Sequence, residues 1–298
     1  MHFCIHKLHA HFSFRSFDFR LLKEMWIFTF FIFVNMIVDQ INWNVDKLLI
    51  GRIIGTGAVA VYGIGNQINT LYLQLSVAVS NVFVPKVNRI VVESDNNEEL
   101  TKLFSRVGRI QFLILSTVLY VFSFIGRDFI RLWAGEGYEE AYMVALLLII
   151  PVTVPLIQNL GIEIQRAKNK HKTRSVVYFF IALLNVVISI PLLLRGGIVG
   201  AATGTAISLL IGNGFFMNWY YQKRIGLDIL YFWREIFKLM PAITVAMLIG
   251  MIINKFIKIT GLTSLVLCAV LYAAIFTIIL WHIGLNKDER KLIKKPVH

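Results

Sequence analysis

Residues 35–55 read NMIVDQINWNVDKLLIGRIIG. The stretch lies within an apolar run, yet it holds Asp39, Asp46, Lys47, Arg52 and three asparagines. Its meaning depends on the chain around it. Of the 298 residues, 57% are hydrophobic and only 16% are charged, and the mean hydropathy is +0.69. A soluble domain carries about 45–50% apolar and about 25% charged residues. The apolar excess is gathered in runs such as Ala141–Ile157 and Leu265–Leu280, and roughly 20 mostly apolar residues cross a bilayer as a helix. Composition therefore points to an all-α, polytopic membrane protein.

Eight transmembrane helices are expected, near 25–50, 57–85, 108–127, 141–163, 176–194, 198–220, 239–256 and 263–284. The first two exceed a minimal span and are expected to tilt or to project past the hydrocarbon. Alternate loops differ sharply in charge: 23 of the 30 Lys and Arg residues fall in the set that includes both termini. The positive-inside bias places that set, and both termini, in the cytoplasm of a bacterial or archaeal cell membrane. The net charge of +13 thus reads as topology rather than as a nucleic-acid surface. The first 24 residues carry four histidines and no uninterrupted apolar core, so no secretory signal is apparent. The expected division is a cytoplasmic segment 1–24, a six-helix body 25–222, an interfacial amphipathic segment 223–238, two further spans 239–284 and a basic tail 285–298. The acidic run Glu93–Glu99 reads as a solvated loop.

Within the first span, Asn35, Asp39, Asn42 and Asp46 are spaced by four, three and four residues, which sets them on one helix face. A charge at mid-bilayer costs at least ~2.5–3.5 kcal/mol on insertion scales, so this face is expected to point at a bundle interior or a wet cavity. The plainer alternative is that Asp46, Lys47 and Arg52 mark the outer interface, with Asp46–Lys47 as a surface pair. In the second span, Gln67, Gln74, Asn81 and Asn88 recur every seven residues, either as a polar cavity wall or as amides that bond helix to helix. Asn185 and Pro191 interrupt the fifth span, and the small-residue run Gly197–Ser208 reads as close helix packing. No catalytic constellation appears, and nothing in the sequence calls for a cofactor. The histidines at 2, 6, 9 and 11 read as part of a tail, not as a metal site. The chain also lacks a phosphate-binding loop of the Gly-rich, Lys-Ser/Thr type.

Several residues in order carry a resemblance. Phe17–Asp18 precedes Leu22–Lys23–Glu24; Asn44 and Asp46–Gly51 (DKLLIG) follow, then Gly55, Val59, Tyr62 and Gln67–Ile68. Further on come Gln165–Lys170, Asn185 with Pro191, and Gly197–Ala202. Together these resemble the second half of polysaccharide-transporter flippases, a branch of the multidrug/oligosaccharidyl-lipid/polysaccharide exporter superfamily. The resemblance implies one six-helix lobe of a two-lobe flippase plus two extra C-terminal helices. It implies alternating access for an undecaprenyl-pyrophosphate-linked oligosaccharide in a bilayer, with no enzymatic step and, in some members, coupling to an ion gradient. Because only the second lobe is matched, it further implies a truncated reading frame, a pseudogene remnant, or a half-transporter that needs a separately encoded N-terminal lobe. On this reading Gln67, Gln74 and Asn81 face sugar, Lys47 and Arg52 serve the pyrophosphate, and Asp39 is the coupling carboxylate. Rival readings are a drug/cation antiporter or lipid II flippase of the same superfamily. From another class comes a membrane-embedded glycan polymerase or ligase, against which the short outer loops argue.

Overall fold

A computed structural model describes residues 19–168, 170–286 and 289–290, and every regular element among them is helical. Lipid offers a backbone no hydrogen-bond partner, so a spanning segment satisfies itself as helix. The elements are α1 (Phe19–Ile53), α2 (Thr56–Glu93), α3 (Asn97–Ala134), α4 (Glu140–Ile157), α5 (Leu160–Ala167) and α6 (His171–Leu209). The last of these runs on through π and α turns to Ile225 and is followed by α7 (Ile229–Phe237), α8 (Met240–Asn254) and α9 (Leu262–Ile279). Six described segments are long and apolar enough to cross a membrane. One of them, Val176–Ile225, holds two spans, since its helix breaks at Gly197 (φ 58, ψ −145). With the 35-residue α1, the chain has the length and hydropathy for about eight crossings. It is a multi-pass membrane protein.

Helices α2 and α3 have 38 residues each. At 1.5 Å per residue that is roughly 57 Å, nearly twice a ~30 Å hydrocarbon core, so both project well beyond it. The acidic run expected to be loop is mostly helix: only Ser94–Asn96 separates α2 from α3. Asn96 caps α3 by accepting from the backbone N–H of Glu98 (2.9 Å) and Glu99 (3.3 Å). Those two glutamates then oppose the positive end of the helix. The expected span 141–163 is also corrected. It breaks at Gln158–Asn159 into α4 and α5, after Pro151 and Pro155 have each removed a backbone donor. The motif Gln165–Lys170 spans the turn after α5, although Asn169 lies outside the described residues, as do Phe17, Asp18, the N-terminal histidines and most of the basic tail.

α2 packs on α4, α1 and α4 pack on α6, and α3 joins this group to α9. Tyr72, Phe104, Leu115, Ile149, Ile164, Tyr221 and Phe232 lie in one buried cluster. The final span attaches through aromatics: Tyr120 stacks on Phe276 at 4.7 Å and Phe124 on Tyr272 at 5.0 Å. Polar cross-links stitch the same helices. Gln111 on α3 donates to Ser80 (2.8 Å) and Ser76 (3.0 Å) on α2, and Tyr72 bonds Thr153 on α4 (2.9 Å).

The strongest tie is ionic. Arg109 of α3 is 4% exposed and grips Glu289 with two nitrogens, at 2.6 and 2.9 Å. It also donates to the carbonyls of Glu235 in α7 (2.5 Å) and Gly284 (3.3 Å). One guanidinium thus binds the amphipathic helix and the end of the last span to the six-helix body. Removing one partner of a buried pair costs about 3–5 kcal/mol, whereas replacing both with apolar groups is far milder. Arg109→Met should therefore lower the midpoint of thermal unfolding in detergent markedly. The double variant Arg109→Met/Glu289→Leu should recover much of the loss. Equal midpoints for wild type and Arg109→Met would refute the tie.

Candidate functional site

At Gly197 the φ of 58 lies in the left-handed region that glycine enters without a steric penalty. The chain there folds back on itself. A methyl on Gly204 would sit 2.6 Å from Ser189 Cα, and one on Gly200 would strike the carbonyl of Leu192. The small-residue run therefore does pack, as its composition suggests, and it brings Thr205 beside Asn185 and Ser189.

Asp46 of α1 enters this hairpin and is 4% exposed. Its Oδ2 accepts from the Tyr62 hydroxyl of α2 at 2.8 Å and from Thr205 Oγ1 at 2.5 Å. Ser189 donates to Asn185 Oδ1 at 2.7 Å, and Thr205 Oγ1 lies 3.3 Å from the same oxygen. The carbonyl of Ala201 completes the cluster, 3.3 Å from Thr205 Oγ1 and 3.4 Å from Ser189 Oγ. Among the described residues Asp46 Oδ1 is buried without a hydrogen-bond partner. Among the described residues no cation pairs with Asp46, and no group of three or more His, Cys, Asp and Glu could hold a metal. The surroundings offer a single carboxylate with hydroxyl, amide and carbonyl oxygens. Oxygen donors suit a hard cation, and one negative charge is neutralised by one proton or one monovalent ion.

The second feature is a face, not a pocket. Gln67, Gln74 and Asn81 are exposed, and so is Asn88. The buried residues of α2 are Tyr62, Gly65, Asn69, Tyr72, Ser76, Ser80, Val87 and Ile90. At about 100° per residue, the four amides lie opposite that packed side. Among the described residues they show no side-chain hydrogen bond to a neighbouring helix.

The two features lie on parts of the chain with known relatives. Residues 1–143, a little under half of the chain, match the family described as "Polysaccharide biosynthesis protein". The membrane protein EpsK of Bacillus subtilis is 24% identical over 97% of this chain and 58% of its own length. The lipopolysaccharide biosynthesis protein WzxC of Escherichia coli is 26% identical over 59% of this chain and 34% of its own. The probable flippase AglR of Haloferax volcanii is 21% identical over 58% of this chain and 36% of its own. Among solved structures, the lipid II flippase MurJ in an inward closed conformation superposes with a TM-score of 0.68 at 17% identity. That match covers 93% of this chain and 57% of MurJ. The chain is thus similar to proteins of polysaccharide biosynthesis and to a probable flippase. It spans little more than half the length of the longest of these matches, and it has the MurJ-type fold over nearly all of its own residues.

Among the described residues the fold brings two of the sequence candidates together, Asp46 and Asn185, which share Thr205. Among the described residues Asp46 forms no surface pair with Lys47: its carboxylate is buried and bonded to Tyr62 and Thr205. Lys47 is half-buried and Arg52 exposed, beyond the cluster on the same helix. The side chains of Asn35, Asp39 and Asn42 lie outside the described residues. Sequence reading missed Tyr62 and Thr205 as partners of Asp46, and Ser189 as the partner of Asn185. A signal existed in the four-residue spacing of Asn185 to Ser189, which stacks both on one face.

The hairpin makes a sharp prediction. Gly204→Ala forces backbone apart beside Ser189, and overpacking costs about 1–3 kcal/mol. Gly63→Ala, where a methyl meets nothing within 4 Å, is the matched control. Thermal unfolding in detergent should drop for the first and stay near wild type for the second; equal midpoints would sink the hairpin geometry.

Proposed function

We propose that this chain forms one lobe, with two accessory helices, of a flippase that carries an undecaprenyl-pyrophosphate-linked oligosaccharide across the cytoplasmic membrane. A second lobe comes from another polypeptide or from further sequence, and both described ends of the chain face the cytoplasm. The observation that carries this reading is the outward amide face of α2. Gln67, Gln74 and Asn81 are well suited to sugar hydroxyls and ill suited to acyl chains, and they lie on the side of the helix that this chain leaves open. Closing a second lobe over that face turns it into the wall of a wet cavity. Lys47 and Arg52, near the outer end of α1, then stand where a pyrophosphate would leave.

Asp46 supplies the energetic handle. An uncompensated carboxylate inside a bilayer is costly, so the cluster changes character when a proton or monovalent cation enters. Three helices meet there, α1, α2 and the α6 hairpin, and their packing is the part of the lobe such an event acts on. Asp46 thus takes the coupling role that the sequence resemblance gave to Asp39. No catalytic role is assigned to any residue.

The test uses the complete two-lobe transporter in which this chain forms a half. Gln67→Leu/Gln74→Leu should reduce surface glycan by about an order of magnitude at unchanged protein level, roughly 1.4 kcal/mol of lost transition-state binding. Val82→Leu, on the same helix but off the amide face, should leave display intact. Full glycan display by the double variant would overturn the cavity wall. Glycosyl transfer by the purified protein would instead favour the polymerase or ligase reading.

A further inference from the structure

The amphipathic helix α7 has two sides of opposite character. Ile229, Phe232 and Ile236 are buried, and Arg109 holds the Glu235 carbonyl, so this side is pinned to α3. The other side carries Leu230, 79% exposed, and Phe237, 58% exposed, with Arg234 about 40° from Leu230 on the helical wheel. Arg234 and the exposed pair Lys223 and Arg224 just before the helix make no ion pair among the described residues. Glu235, the only acidic residue within the helix, faces the other way, held between Arg109 and Lys238. The helix is set off from α8 by a turn at Lys238–Leu239, so it stands at the mouth of a membrane span.

We infer that the Arg234 face of α7, with Lys223 and Arg224, is a docking surface for anionic phospholipid. Leu230 and Phe237 enter the boundary between headgroups and acyl chains, as the apolar side of an interfacial helix does. The three free cations hold lipid phosphates. The apolar side chains choose lipid over a soluble acidic partner, and the unpaired charges choose an anionic headgroup over a zwitterionic one. The inference rests on the chain spanning a membrane and not on the flippase reading.

The test titrates the intact chain in detergent with phosphatidylglycerol or phosphatidylcholine and counts retained lipids by native mass spectrometry. Wild type should retain phosphatidylglycerol at much lower lipid concentration, and that preference should fade at high salt. A basic residue near an anionic surface contributes ~1 kcal/mol, so each removal should weaken retention roughly fivefold. The variant Lys223→Gln/Arg224→Gln/Arg234→Gln should therefore lose the preference. Leu230→Ser/Phe237→Ser should weaken retention of both lipids. Arg127→Gln/Arg195→Gln/Lys258→Gln removes equal charge at the far end of the bundle and should keep the preference. Equal losses in the two triple variants, or no headgroup preference in wild type, would overturn the inference.

Discussion

A bilayer withholds hydrogen bonds, and the placement of many polar groups among the described residues answers that. The backbone answers with helix throughout the described residues. The side chains answer individually. Gln111 reaches Ser76 and Ser80 across the α2–α3 contact. Asp46 collects the hydroxyls of Tyr62 and Thr205, and Arg109 collects a carboxylate and two carbonyls. Among the described residues Gln67, Gln74 and Asn81 of α2 show no such answer. That contrast separates the polar groups that hold these helices together from those that face outward.

The two polar features differ in kind for the same reason. The Asp46 cluster is closed: three elements converge on it, and only one carboxylate oxygen is left over. The α2 face is open along most of a 38-residue helix. A closed cluster responds to something as small as a proton or an ion. An open face, extended over several turns, matches something long and polar. Both belong to a chain that covers less than 60% of its relatives' length.

Much of this was legible in the sequence because it is periodic or local. Apolar runs fixed the number of spans, and the seven-residue recurrence of Gln67, Gln74 and Asn81 marked a face that the structure leaves exposed. The glycines at 197, 200 and 204 announced close packing. What escaped was either a boundary effect or a distant pairing. Pro151 and Pro155 did not reveal where α4 would break, and Asn96 gave little sign that its cap would absorb an acidic loop into α3. Tyr62 and Thr205 converge on Asp46 from helices whose registers no local pattern specifies. Arg109 looked like one more cytoplasmic charge, since its partner stands 180 positions away.

That separation has a consequence for biogenesis. Arg109 enters the membrane region with the third helix, but Glu289 exists only after six further helices have been made. Until then the guanidinium has no carboxylate to close on except the more distant Glu235 (3.7 Å). A long-range contact of this kind forms late, after loop-closure entropy has been overcome. A chain interrupted before Glu289 would keep the Glu235 contacts of Arg109 but lack the bidentate carboxylate that ties the end of the last span to α3.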